Sequence, residues 1–151
     1  MVDEHGRGCF MSLASGIVVP GLTSTAPREY NGHMTDLDTV RRWVDGYVRA
    51  WDSNDPADIG ALFTDDARYF TAPFREPWKG RDGIVRGWLE RKDEPGDATF
   101  EWQPVLVAGE VAIVQGVTVY SDETYSNLWV IRLSADGRCH EFTEWWMVHS
   151  A

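Results

Sequence analysis

From Ala98 onward the chain is four long strand-like stretches with almost nothing between them. Ala98–Ala108, Val111–Tyr120, Tyr125–Leu133 and Arg138–Val148 are rich in Val, Ile, Thr, Tyr and Trp. Such side chains fit a pleated, half-buried surface. The connections are Gly109-Glu110, Ser121–Glu123 and Ser134-Ala135-Asp136-Gly137. Links this short join antiparallel neighbours, because a parallel return needs a dozen or more residues. The stretch therefore predicts an antiparallel meander, with Gly137 able to take the positive φ of a hairpin turn.

The chain upstream has a different period. Thr35-Asp36-Leu37-Asp38 supplies a helix cap and acids for a first turn. Leu37, Val40, Val44, Tyr47, Val48 and Trp51 then recur at steps of three and four, which is one helical face. Asp52–Asp55 ends that helix and Pro56 opens a short second one, with Ile59, Leu62 and Phe63 as its buried side. Thr64-Asp65-Asp66 predicts a turn and Ala67–Thr71 a brief strand. Pro73 and Pro77 predict a loop over residues 72–80. A third helix follows, burying Ile84, Val85, Trp88 and Leu89 until Pro95-Gly96-Asp97 stops it. Three helices followed by such a sheet make an α+β domain with the helices on one face.

The first 33 residues hold none of the eight tryptophans. They read as a disordered leader before a folded unit of residues 34–151. Phe10–Val19 could pass for a secretory apolar stretch, but Asp3 and Glu4 outnumber Arg7 where a signal needs positive charge. Met34 stands directly before the first helix, so it is a candidate natural start. Cys9 and Cys139 form no Cys-x-x-Cys pair and no zinc spacing, which fits a reduced, cytoplasmic setting. No apolar run has the length of a membrane span.

With 24 acids against 14 bases, the chain carries a formal charge of −10. That balance argues against a nucleic-acid surface and against docking on anionic lipid. Asp52/Asp55 and Asp65/Asp66 read as caps and turns, not as a metal site. No Ser-His-Asp arrangement, phosphate loop or HExxH segment is present, and neither a metal nor a cofactor is expected.

Five motifs in order resemble the nuclear transport factor 2-like superfamily, in particular its SnoaL-like branch. They are Tyr47–Asp55, Leu62-Phe63-Thr64-Asp65-Asp66-Ala67, Pro73, Gly80-Arg81-Asp82-Gly83-Ile84 and Glu141-Phe142-Thr143-Glu144-Trp145-Trp146. The resemblance covers about residues 36–149. It implies a cone-shaped curved antiparallel sheet, in the order α-α-β-α-β-β-β-β, closed by three helices around an internal pocket. It also implies homodimers paired through the sheet, with Trp145, Met147, Val130 and Tyr120 as the outer apolar patch.

Aligned on the Gly137 turn with ketosteroid isomerase, a relative, the last strand turns His140, Phe142, Glu144, Trp146 and Val148 inward. The same alignment turns Asn127, Trp129, Ile131 and Leu133 inward, together with Gln115, Val117 and Val119; Phe100 and Trp102 also face in. Tyr47, Trp51 and Trp88 approach from the helices. The implied ligand site is thus Trp51, Trp88, Gln115, Asn127, Trp129, Phe142 and Trp146 around a small, largely apolar molecule, with Glu144 and Tyr47 as the catalytic candidates. Glu144 reads either as a general acid or base raised by its aromatic enclosure, or as a structural carboxylate bonded to a tyrosine, an arginine or Gln115. Tyr47 matches an oxyanion-stabilising tyrosine, or is simply an amphipathic helix residue. Where that relative has its proton-abstracting Asp and its second donor, this chain has Ala72 and Trp129, so steroid isomerisation by that route is not expected. The histidine pair of scytalone dehydratase is also missing, since His140 has no second histidine beside it. The expected activity is therefore cofactor-free isomerase, cyclase, dehydratase or hydrolase chemistry, with a non-catalytic binding or interaction module of the same fold as the alternative.

Overall fold

The structure, a computed structural model, describes residues 33–149. The expectations for residues 1–32 lie outside them. Three helices, α1 (Leu37–Ser53), α2 (Pro56–Ala61) and α3 (Gly80–Glu90), accompany six strands: β1 (Phe63–Phe70), β2 (Trp78–Lys79), β3 (Ala98–Ala108), β4 (Val111–Tyr120), β5 (Thr124–Leu133) and β6 (Cys139–Val148). The sheet is curved and open, in the order β2-β1-β6-β5-β4-β3. Pro104 lies in the edge strand β3, beside a shift in its pairing with β4, where a missing N–H costs least.

α1 forms where its apolar period predicts. Asp36 caps it by accepting the Thr39 N–H at 2.7 Å, and hydrogen bonding from the Thr39 side chain and backbone holds the Asp36 carboxyl below its ordinary range. Asn54 ends it in the left-handed region at φ 49°. The buried face of α1 is Val40, Trp43, Val44, Tyr47 and Ala50. Trp43 falls on that stripe too, and its indole N–H donates to the Leu62 carbonyl at 3.0 Å, tying the helix to the start of β1.

Two local expectations change. Thr64-Asp65-Asp66 is not a turn. It lies inside β1, where the register against β6 jumps between Phe63↔Cys139 and Arg68↔Glu141. The acids project from that bulge, and Asp65 meets Arg81 and Arg138. The loop after Pro73 is also interrupted, because Trp78 and Lys79 pair with Tyr69 and Arg68. β1 runs parallel to β6, so one pair of the sheet departs from the antiparallel pattern; the intervening helix and meander supply the crossover.

The core lies between the helices and the inner sheet face. Trp129, Phe63, Phe142, Ile131 and Leu133 are all but fully buried there. Phe142 touches the rings of Tyr47, Tyr69 and Trp129, with centroids 5.7, 4.6 and 5.4 Å away. Tyr47, Tyr69 and Trp129 also border a cavity.

Candidate active site

The cavity encloses about 510 Å³, within the range of small-molecule sites. Tyr47 and Trp51 of α1 and Trp88 of α3 form the helical wall. Tyr69 and Thr71 line it from β1 and the residue after it, Thr118 and Tyr120 from β4, Asn127 and Trp129 from β5, and Glu144 and Trp146 from β6. Arg75, Trp78, Arg91, Lys92, Asp93, Asp122, Glu123 and Tyr125 complete it from loops and strand ends.

Register puts a carboxyl into this wall. Glu144 lies opposite Trp129, so both side chains share the inner face. Trp129 donates its indole N–H to Glu144 Oε1 at 3.1 Å, and Asn127 donates its amide N–H to the same oxygen at 3.0 Å. Thr118 holds Asn127 in turn, its hydroxyl donating to Asn127 Oδ1 at 2.8 Å. Oε2 accepts none of these bonds. Burial pushes the Glu144 carboxyl up from its ordinary value, and the two donors partly oppose that rise.

A pair of phenols faces the same space. The hydroxyls of Tyr47 and Tyr69 are 2.7 Å apart. Whichever donates to the other, the acceptor keeps its own O–H to donate onward. Burial drives both phenols well above their ordinary range, so both stay protonated at physiological pH.

A second carboxylate, in the loop after α3, also lines the cavity. Asp93 Oδ2 accepts the Trp51 indole N–H at 2.9 Å and the Tyr120 hydroxyl at 2.8 Å. Asn54 donates to the Asp93 carbonyl at 2.8 Å and accepts the Trp88 indole N–H at 3.3 Å. The left-handed cap of α1 thereby fixes the loop that follows α3.

The profile of the SnoaL-like domain matches residues 40–145, more than half of the chain. The chain belongs to the SnoaL-like domain family. Solved structures agree on the fold. A candidate ketosteroid isomerase from Kribbella flavida is 23% identical, with a TM-score of 0.61 over 78% of this chain and 84% of that one. An LEH-like epoxide hydrolase from M. tuberculosis is 16% identical at a TM-score of 0.51, covering 73% and 84%. The epoxide hydrolase/cyclase-like enzyme SalBIII, which takes part in pyran ring formation in salinomycin, is 15% identical at 0.59, covering 74% and 93%. No protein of curated function matches the sequence significantly.

Within this SnoaL-like domain, Glu144, Tyr47, Trp51, Trp88, Asn127, Trp129 and Trp146 all line the cavity. Two expected ligand contacts do not. Gln115 is exposed on the outer face of β4. The turn is tighter than Ser121–Glu123 predicts: Tyr120 N–H already bonds the Glu123 carbonyl at 2.8 Å, and β5 starts at Thr124. That one-residue difference pairs Asn127 with Gly116 instead of Val117 and reverses β4. Val117 and Val119 turn outward with Gln115, while Thr118 and Tyr120 turn in. Phe142 is the second correction. It points inward but is wholly covered by Tyr47, Tyr69 and Trp129, beneath the cavity floor.

Asp93, Tyr69, Thr118 and Tyr120 escape the sequence reading. Gly116 is the signal that could have placed two of them. A Cβ there would overlap the Phe100 ring, so the glycine marks a side facing packed structure. Asp93 offers no such signal, being one acid in a helix-stopping turn. His140 lies 3.5 Å from Glu110, away from the cavity lining. Among the described residues no three His, Cys, Asp or Glu side chains gather as metal ligands, and no helix is long and apolar enough to cross a membrane.

Proposed function

We propose that this SnoaL-like domain is a cofactor-free acid–base enzyme acting on a small, largely apolar molecule, in the isomerase, cyclase, dehydratase or hydrolase range. One observation carries the reading: Glu144 is gripped on one oxygen by two neutral donors while its other oxygen is left for a substrate, inside an aromatic cavity. A carboxyl with raised proton affinity can exchange a proton with a substrate near neutral pH more readily than an ordinary one. Trp129 and Asn127 fix its direction. The spare phenolic O–H of the Tyr47–Tyr69 pair can donate to an oxygen that gains negative charge as the proton moves. Trp51, Trp88 and Trp129 supply apolar surface for the body of the substrate. Relatives of this fold named for isomerisation, epoxide hydrolysis and ring closure are compatible with proton transfer of this kind.

The test is turnover by the wild type and Glu144→Gln on two panels, simple aryl epoxides and β,γ-unsaturated cyclic ketones, with products followed by chromatography. We expect conversion of a member of one panel, falling by roughly 10²–10⁴-fold in the variant. Conversion unaffected by Glu144→Gln would remove that carboxyl from the chemistry. Tight binding of panel members without conversion by either protein would favour the binding-module alternative.

A further inference from the structure

Two carboxylates that line the cavity have no cationic partner among the described residues. Glu144 and Asp93 face the same space from different walls, and each is held only by neutral donors: Trp129 and Asn127 for one, Trp51 and Tyr120 for the other. Neither forms an ion pair among the described residues. Burial raises the Tyr120 phenol above its ordinary range, and its bond to Asp93 and the charges of Asp93 and Glu144 add to that rise. Asp122 and Glu123 add two more acids to the lining. Three basic residues, Arg75, Arg91 and Lys92, also line the cavity, and none pairs with Glu144 or Asp93 among the described residues. Lys92 faces Glu94 at 3.6 Å, Arg91 lies 5.8 Å over the Trp78 ring, and Arg75 forms no ion pair with any cavity acid.

The same cavity is lined by aromatic rings. Tyr47 packs against Trp51, Trp88 and Trp129, with ring centroids 6.3, 4.9 and 4.7 Å away. Ring faces attract cations through their quadrupoles, and most strongly where water is excluded. We propose that the molecule bound here carries a protonated amine or quaternary ammonium group on an apolar body, with the cation held between Asp93 and Glu144 against these rings. The neutral donors orient each carboxylate without neutralising it, and the ligand supplies the missing positive charge. A chain of formal charge −10 also favours the approach of cations over anions. This assignment rests on the cavity being the ligand site and names the class of ligand.

The experiment uses three probes with one apolar body: 2-naphthylmethylammonium, 2-naphthalenemethanol and 2-naphthoate, titrated by calorimetry into the full chain at neutral pH. We expect the ammonium to bind at least ~10-fold tighter than the alcohol, with the carboxylate weakest. In the double variant Asp93→Asn, Glu144→Gln that preference collapses while affinity for the alcohol persists, with circular dichroism checking the fold. The wild-type series decides the matter even if the variant does not fold. Equal affinity for ammonium and alcohol would overturn the cation assignment and leave the cavity as a ligand site. Tightest binding of the carboxylate would also overturn it, and would point to Arg75 and Arg91. Failure of all three to bind would overturn both the assignment and the cavity reading beneath it.

Discussion

Glu144 illustrates how a neighbouring strand can set the behaviour of one ionisable group. Burial makes its charged form costly, and two hydrogen bonds from β5 recover only part of that cost. Its folded pKa therefore lies above its unfolded one. Between those two values the native state holds a proton that the unfolded state has lost, so stability falls as pH rises through the interval. The contribution is complete below the unfolded value and gone above the folded one. Glu144→Gln mimics the protonated form at every pH. We expect its denaturation midpoint, relative to wild type, to be more favourable at neutral pH than in mild acid. A midpoint difference independent of pH would mean that Glu144 titrates normally.

At the scale of elements, the two-residue step between Tyr120 and Glu123 matters more than any single site residue. It decides which face of β4 lines the cavity, and so whether Thr118 or Gln115 stands beside Asn127. Gly116 belongs to that choice. Phe100 lies over it and stacks on Trp129 at 4.6 Å and 17°. An added Cβ would overlap the Phe100 ring and come within 3.2 Å of the Glu101 carbonyl oxygen. Overpacking of this kind costs about 1–3 kcal/mol, so Gly116→Ala should lower stability by that amount in chemical denaturation. It should also disturb the indole that holds Glu144. Wild-type stability in this variant would show that Phe100 can move aside freely.

For the whole molecule, the outer sheet face is the unexplained surface. Register joins Val119, Val117, Leu128, Trp145 and Met147 into one band. Trp145 and Met147 are 45% and 68% exposed. Tyr120, expected in this patch, leaves it because its hydroxyl reaches Asp93 on the inner side. Large apolar bands are uncommon on a monomer's surface. We expect a dimer in sedimentation velocity at micromolar concentration and a shift towards monomer in Trp145→Glu. A monomeric wild type would exclude pairing through this face.

What the sequence determined by itself is whatever depends on neighbours along the chain. Helical period located α1 and α3, β-branched runs separated by short turns located β3 to β6, and alternation within β6 set Phe142, Glu144 and Trp146 on one side. Tertiary structure decided what depends on pairing and depth. Strand alternation has a period of two, so the exact length of one turn inverted β4 and exchanged Gln115 for Thr118. Depth separated Phe142, sealed in the floor, from Glu144 two residues later, which opens to the cavity. Asp93 became part of that cavity only because Asn54, Trp51 and Tyr120, from distant parts of the chain, converge on it. Local pattern encodes direction and period; it does not encode which remote donors meet a carboxylate.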